Sequence, residues 1–158
     1  MKTVCFRRGC LTGPGHSGTQ LHGFLAYLVK CTVTDLSMSC SVMPVNRCAI
    51  NIHSFDLVDA FWHFFEAPRS GELYNIGEGR YCNCSMLEAI EKCQNRTGRK
   101  MRWSYITTRP TVRPHLVDQY IRRFQGHYPG WFMDYNLDAI LREIFGEVAD
   151  RASGSELA

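Results

Sequence analysis

Short apolar runs that alternate with amphipathic helical segments predict an α/β chain. Three observations carry this. Several runs of four to seven residues (VCF with its preceding Thr3, INIH, ELYNIG, KMRWSYI) are rich in β-branched and aromatic residues. Between them, apolar residues recur at helical spacing behind recognisable caps. A length of 158 residues with 45% hydrophobic content suits one globular domain.

In chain order, Thr3 to Phe6 reads as a strand, GCLTGPGHSG as a Gly/Pro loop, and Leu21, Phe24, Leu25 and Leu28 as the apolar stripe of a helix. Thr32 to Asn46 shows no period and is expected to be irregular. Ile50 to His53 forms a short strand. Ser54 is expected to cap a helix whose Leu57, Val58, Phe61, Trp62 and Phe65 share a face until Pro68 and Gly71 stop it. ELYNIG reads as a buried strand. Ser85 and Glu88 make a capping box for a helix through Leu87, Ala89, Ile90 and Cys93 that ends near Gly98. KMRWSYI is the next strand. After a Pro-rich connection from Arg109 to Pro114, Tyr120 to Phe124 is helical and YPGW turns. Asn136 caps a helix from Leu137 to Phe145, so residues 1–146 form the domain and 147–158 a frayed tail.

Charge excludes one class of partner. Eighteen Lys and Arg against 15 Asp and Glu leave only +3, with no basic run or stripe, so nucleic acid is not a partner. Apolar stretches such as LHGFLAYLVKC are broken by His22 and Lys30 and fall short of the roughly 20 residues that a bilayer requires. Eight cysteines would suit disulfides in a secreted chain, but Met1 leads straight into VCF, so free thiols and a cytoplasmic location are expected. Cys82-Asn83-Cys84 lacks the second ligand unit of a zinc site, so no metal is expected. Asn83-Cys84-Ser85 and Asn95-Arg96-Thr97 match the glycosylation pattern, which without a secretory route carries no weight. His63 within FWHFF reads as a partly buried helix residue and Trp131 as a packing anchor. The FWHFF run reads as core, unless a missing N-terminal partner leaves it exposed.

The blocks FRRGCLTGPGHSGTQLHGFLAYLVKC, INIHSFDLVDAF, EAPRSGELYNIGEGR, LEAIEKCQNRTGRKMRW and YPGW, in this order, resemble the C-terminal half of NAD-dependent sugar epimerases. These belong to the extended short-chain dehydrogenase (epimerase/dehydratase) family, and the likeness is strongest to its CDP-paratose/CDP-tyvelose 2-epimerase branch. It implies the C-terminal portion of a Rossmann-type fold without the N-terminal dinucleotide-binding half. In that family the N-terminal half carries a Gly-rich fingerprint and a Tyr-x-x-x-Lys pair. GPGHSG lacks the G-x-G-x-x-G context, and no Tyr is followed by Lys four residues on. The resemblance therefore assigns no catalytic residue here, and NAD, the cofactor of the intact family, is not expected to bind this chain alone.

What remains is the side that holds a nucleotide sugar. The resemblance places Cys10, Leu11, Thr12, Gly13 and Pro14 on the loop between nicotinamide and sugar, Gly13 and Pro14 nearest the cofactor. It brings His16, Leu21 and His22 close to the substrate entrance, with Asn51 and Arg109 as further substrate contacts. Gly and Pro let backbone N–H groups approach a ligand, and His offers donors to a diphosphate or hydroxyl. A purely structural strand-to-helix loop is the alternative. Protein partners consistent with the resemblance are an N-terminal Rossmann half or a second copy.

Two clamps depart from the family pattern. Val-Arg-Asp before Asn-Ile-His-Ser is replaced by Cys48, Ala49 and Ile50, which removes a guanidinium fork for the diphosphate. Arg109 matches the second clamp's Arg, but Pro114-His115 stands where Asp-His belongs. One reading covers both. Codons AAC AGG TGC GCG ATA for Asn46 to Ile50, read one base earlier, contain CAG GTG CGC GAT, which is Gln-Val-Arg-Asp. Shifted codons for Arg113 to Val117 likewise yield Asp-His-Ile-Trp. A non-functional product of a frame-damaged gene, or a non-catalytic interaction remnant, is thus the competing expectation.

Overall fold

The computed structural model describes residues 1–16, 18–19, 23–40, 48–77, 81–105 and 121–154. Its elements in order are β1 (Val4–Arg8), β2 (Cys10–Thr12), α1 (Phe24–Val33), β3 (Met38–Cys40), β4 (Cys48–His53) and α2 (Ser54–Glu66). There follow β5 (Glu72–Ile76), β6 (Asn83–Ser85), α3 (Met86–Thr97), β7 (Trp103–Tyr105), α4 (Arg122–His127) and α5 (Leu137–Gly154).

β1 pairs in parallel with β5, Phe6 opposite Tyr74. At Gly9, whose N–H donates to the Ile76 carbonyl at 3.2 Å, the chain changes neighbour. β2 then runs parallel to β4 with Thr12 opposite His53, and β6 closes the other side of β4 antiparallel. β3 and β7 form a third, parallel pair.

Four local expectations are corrected. Cys10–Thr12 lies inside the expected loop yet is a strand, because β4 supplies a ladder that no local pattern announces. Asn83–Ser85, for which no strand was expected, is likewise a strand on β4. Met38–Cys40 falls in the stretch expected to be irregular. It pairs with β7, and Met38 N–H donates to the Arg102 carbonyl at 2.9 Å; three residues are too few to show a period. The fourth concerns α5, which continues to Gly154 instead of fraying after residue 146. Glu147 and Arg151 pair at 2.8 Å one turn apart, and Val148 packs on the core. The Pro-rich 109–114 segment, Tyr120 and residues 41–47 lie outside the described residues.

Other expectations hold. Ser85 and Glu88 form the reciprocal capping box of α3, and Gly98 closes it in the left-handed conformation. Asn136 accepts the Ala139 N–H at 2.8 Å at the start of α5.

The core has two parts. α1 packs against α3 and α5, burying Leu25, Leu28 and Val29 with Ala89, Cys93, Ile140 and Ile144. Each fully buried aliphatic side chain contributes about 1.5–3 kcal/mol. The second part is aromatic. Phe6, Tyr74, Phe124, Tyr128 and Trp131 meet mostly edge to face or tilted, with centroids 4.6–6.0 Å apart. Burial pushes the Tyr74 phenol up to about 12, and its hydroxyl shares a 2.7 Å hydrogen bond with His127 Nδ1.

α2 divides its apolar residues between two sides. Leu57 and Ala60 are buried and Phe64 packs on the core. Phe55, Val58, Phe61, Trp62 and Phe65 are exposed, Phe65 to 71%. The single buried face expected for Leu57 to Phe65 is therefore present only in part.

Candidate functional site

Adjacent parallel strands of open α/β sheets place their ligands beyond the strands' carboxyl ends. Here β2 and β4 end side by side at Thr12 and His53. Thr12 Oγ1 donates to the Ile52 carbonyl at 3.2 Å, locking the two ends together below the surface. The chain then turns through Pro14 and Gly15, with His16 N–H donating to the Gly13 carbonyl at 3.2 Å.

His53 organises the opposite wall. Its Nδ1 accepts the Phe55 N–H at 3.1 Å, making it the N-cap of α2 one residue before the expected Ser54. An accepting Nδ1 fixes the proton on Nε2, which donates to Glu143 Oε2 at 3.0 Å. The ring stacks on Tyr135 at 3.8 Å. The charge of Glu143 holds the Tyr135 phenol above its ordinary value.

Asp56, one turn into α2, anchors the connection that brings Tyr135 there. Its carboxylate accepts the N–H groups of Asp134 at 3.0 Å and Tyr135 at 3.4 Å, and its carbonyl accepts Trp131 Nε1–H at 3.2 Å. Burial raises its pKa, against those two hydrogen bonds and the nearby His53. Trp131 is fully buried, as a packing anchor should be.

The expected site residues divide by position. Cys10 is exposed and Leu11 half-buried on β2; Thr12 and Gly13 are buried; Pro14 and His16 are half-buried on the turn. Asn51 is fully buried, its Nδ2 donating to the Cys82 carbonyl at 2.9 Å, so it ties β4 to the segment entering β6. Leu21, His22 and Arg109 lie outside the described residues. His53, Asp56, Tyr135 and Glu143 were not expected as site residues. The signal for the first two was the polar pair His53 and Asp56 at a strand-to-helix junction; nothing local marks the other two.

The loop glycines serve chain packing. A Cβ on Gly13 would stand 2.7 Å from Ser54 Oγ, and one on Gly23, at φ +74°, would stand 2.3 Å from the His16 ring. Beside Gly13 and Gly23 that space is filled by the protein's own side chains, whereas Gly15 has nothing within 4 Å. Neither Cys10 nor Cys93 is an activated nucleophile. Partial desolvation raises Cys10 against the opposing charge of Arg8, and burial pushes Cys93 up to about 12. Cys5, Cys10, Cys31, Cys82, Cys84 and Cys93 are free thiols. Among the described residues no cluster of three His, Cys, Asp or Glu could hold a metal, and no helix is long and apolar enough to cross a membrane.

No family model and no curated protein matches the chain. Solved structures do. UDP-glucose 4-epimerase of Thermus thermophilus, complexed with NAD, superposes with a TM-score of 0.77 at 16% identity, over 94% of this chain and 47% of that one. UDP-glucuronic acid 4-epimerase of Bacillus cereus, with UDP-glucuronic acid and NAD, gives 0.77 at 15% over 94% and 45%. dTDP-glucose 4,6-dehydratase of Bacillus anthracis strain Ames, with NAD, gives 0.79 at 16% over 95% and 45%. The chain spans somewhat under half the length of each of these structures, and its α/β fold is that of a corresponding part of them.

Proposed function

We propose that the chain is the nucleotide-sugar-binding portion of an NAD-dependent sugar-nucleotide epimerase of the extended short-chain dehydrogenase type, inactive alone. The observation that carries the reading is the paired carboxyl end of β2 and β4, where the Gly13–His16 turn faces the His53 and Glu143 wall at the position open α/β sheets use for ligands. The neighbours' bound UDP-glucuronic acid and NAD support the ligand class. In this reading Cys10, Leu11 and Thr12 line the sugar side. Gly13 and Pro14 shape the boundary toward the nicotinamide, and His16 supplies a polar contact. Asn51 acts indirectly by holding β4 in place, and Arg109 is the remaining phosphate contact. A CDP-hexose is the substrate suggested by the sequence resemblance. Calorimetric titration of the isolated chain tests the proposal: NAD should give no micromolar affinity, and micromolar binding of NAD would contradict it.

The absence of Arg at Cys48–Ile50 favours one second reading, a frame-damaged gene product. The loss removes charged hydrogen bonds worth about 1.5–3 kcal/mol each. Sequencing the DNA decides: codons for Asn46 to Ile50 that spell Gln-Val-Arg-Asp in the neighbouring frame support it, and any other spelling ends it.

A further inference from the structure

His53 holds its ring between two partners that respond oppositely to a proton. Nδ1 accepts the Phe55 N–H at 3.1 Å, the bond that caps α2, and Nε2 donates to Glu143 Oε2 at 3.0 Å. The neutral ring makes both bonds. An imidazolium has a donor on each nitrogen and no acceptor, so it strengthens the bond to Glu143 and turns a second N–H against that of Phe55. The positive end of the helix adds to that repulsion.

Acidic groups face the ring from three elements. Glu143 comes from α5, and Tyr135, stacked on the ring at 3.8 Å, from the connection before it. Asp56, in the first turn of α2, interacts with the His53 charge, and Asp134 lies beside Asp56. β2 presents Thr12, the register partner of His53, followed by Gly13, and neither titrates. The ring is the more firmly held part, 4% exposed between Tyr135 and Glu143, whereas Phe55 is 52% exposed. Protonation therefore displaces the helix end and leaves the ring in place. That end supports the turn: a Cβ on Gly13 would stand 2.7 Å from Ser54 Oγ and 3.5 Å from His53 Nε2.

We infer that His53 is a proton-operated latch. Neutral, it caps α2 and seats the Gly13–His16 turn; protonated, it pairs with Glu143, releases the Phe55 N–H and loosens the turn. Histidine suits the role because its charge changes between about pH 5 and 8. The latch belongs to the fold and does not rest on the proposed ligand.

Nitrogen-15 NMR of the full chain between about pH 8 and pH 5 tests this. The ring nitrogens report His53, and amide exchange, corrected for its intrinsic pH dependence, reports Phe55. As the ring takes up a proton, protection of the Phe55 amide should fall about tenfold, and the Ser54 and Gly13 amide signals should shift with the same midpoint. His53→Asn, which keeps a capping side chain and cannot titrate, should hold Phe55 equally protected throughout. Glu143→Gln should move the ring's midpoint to lower pH. A ring that stays neutral down to pH 5, a protonated ring with Phe55 still protected, or the same loss of protection in His53→Asn would each overturn the inference. CDP-glucose that binds at neither end of the pH range would remove the functional proposal and leave the latch standing.

Discussion

α2 and α3 are of similar length and both begin at a strand end with a side-chain cap, yet they differ in where their apolar residues go. α3 buries Met86, Ala89, Ile90 and Cys93 against the rest of the chain, and only Leu87 among its large apolar residues is exposed. α2 buries Leu57 and Ala60 and turns five large apolar residues outward. Helical periodicity reports that a residue wants cover; it does not report whether this polypeptide supplies the cover. α3 finds its cover within this chain, and α2 leaves much of its apolar surface exposed.

The largest expected effect tests the inner side of that contrast. Trp131→Ala, which removes the fully buried anchor between α4 and α5 and its bond to Asp56, should cost about 3–5 kcal/mol in urea unfolding. A cost below about 1 kcal/mol would mean that the Trp131–Asp56 junction does not hold the α2 side of the core. Leu57→Ala should cost about 2–5 kcal/mol.

Asp56 gives a pH-dependent version. Its folded pKa is raised above the ordinary 3.8, so its protonated form is the one the fold favours. That contribution is fully present below pH 3.8 and is lost as pH rises through the higher folded value. Unfolding of wild type and Asp56→Asn between pH 3 and 7 should therefore show the cost of substitution shrinking as pH rises. A cost that grows with pH would show that the two backbone N–H groups outweigh desolvation.

Ser85→Ala, which removes one half of the α3 capping box, should cost about 1 kcal/mol. The smallest effect belongs to the outer face of α2. Val58→Lys should change stability by no more than about 0.5 kcal/mol. A loss of several kcal/mol would mean that this face is packed after all.

Much of this was legible beforehand, for reasons that particular residues make clear. The α3 capping box, the Asn136 cap and the buried strand at Tyr74 and Ile76 are local signals, each contained within a few residues. β2, β3 and β6 were not legible, since three-residue strands exist only through partners 33 to 65 residues away. The site was half legible. Gly13, Pro14 and His16 announced a tight turn, whereas the wall facing it depends on Glu143, 90 residues from His53, and on a stacking contact with Tyr135. His53 was hidden behind Ser54, because a serine before a helix is the commoner cap and the imidazole one residue earlier took the role.

Everything functional proposed for this chain depends on the paired ends of β2 and β4 forming a ligand site. Backbone amide NMR during titration with CDP-glucose addresses it directly. Shifts concentrated at Thr12, Gly13, Gly15, His16 and His53, with α3 unaffected, are the predicted result; shifts clustered elsewhere, or none up to millimolar ligand, would contradict it.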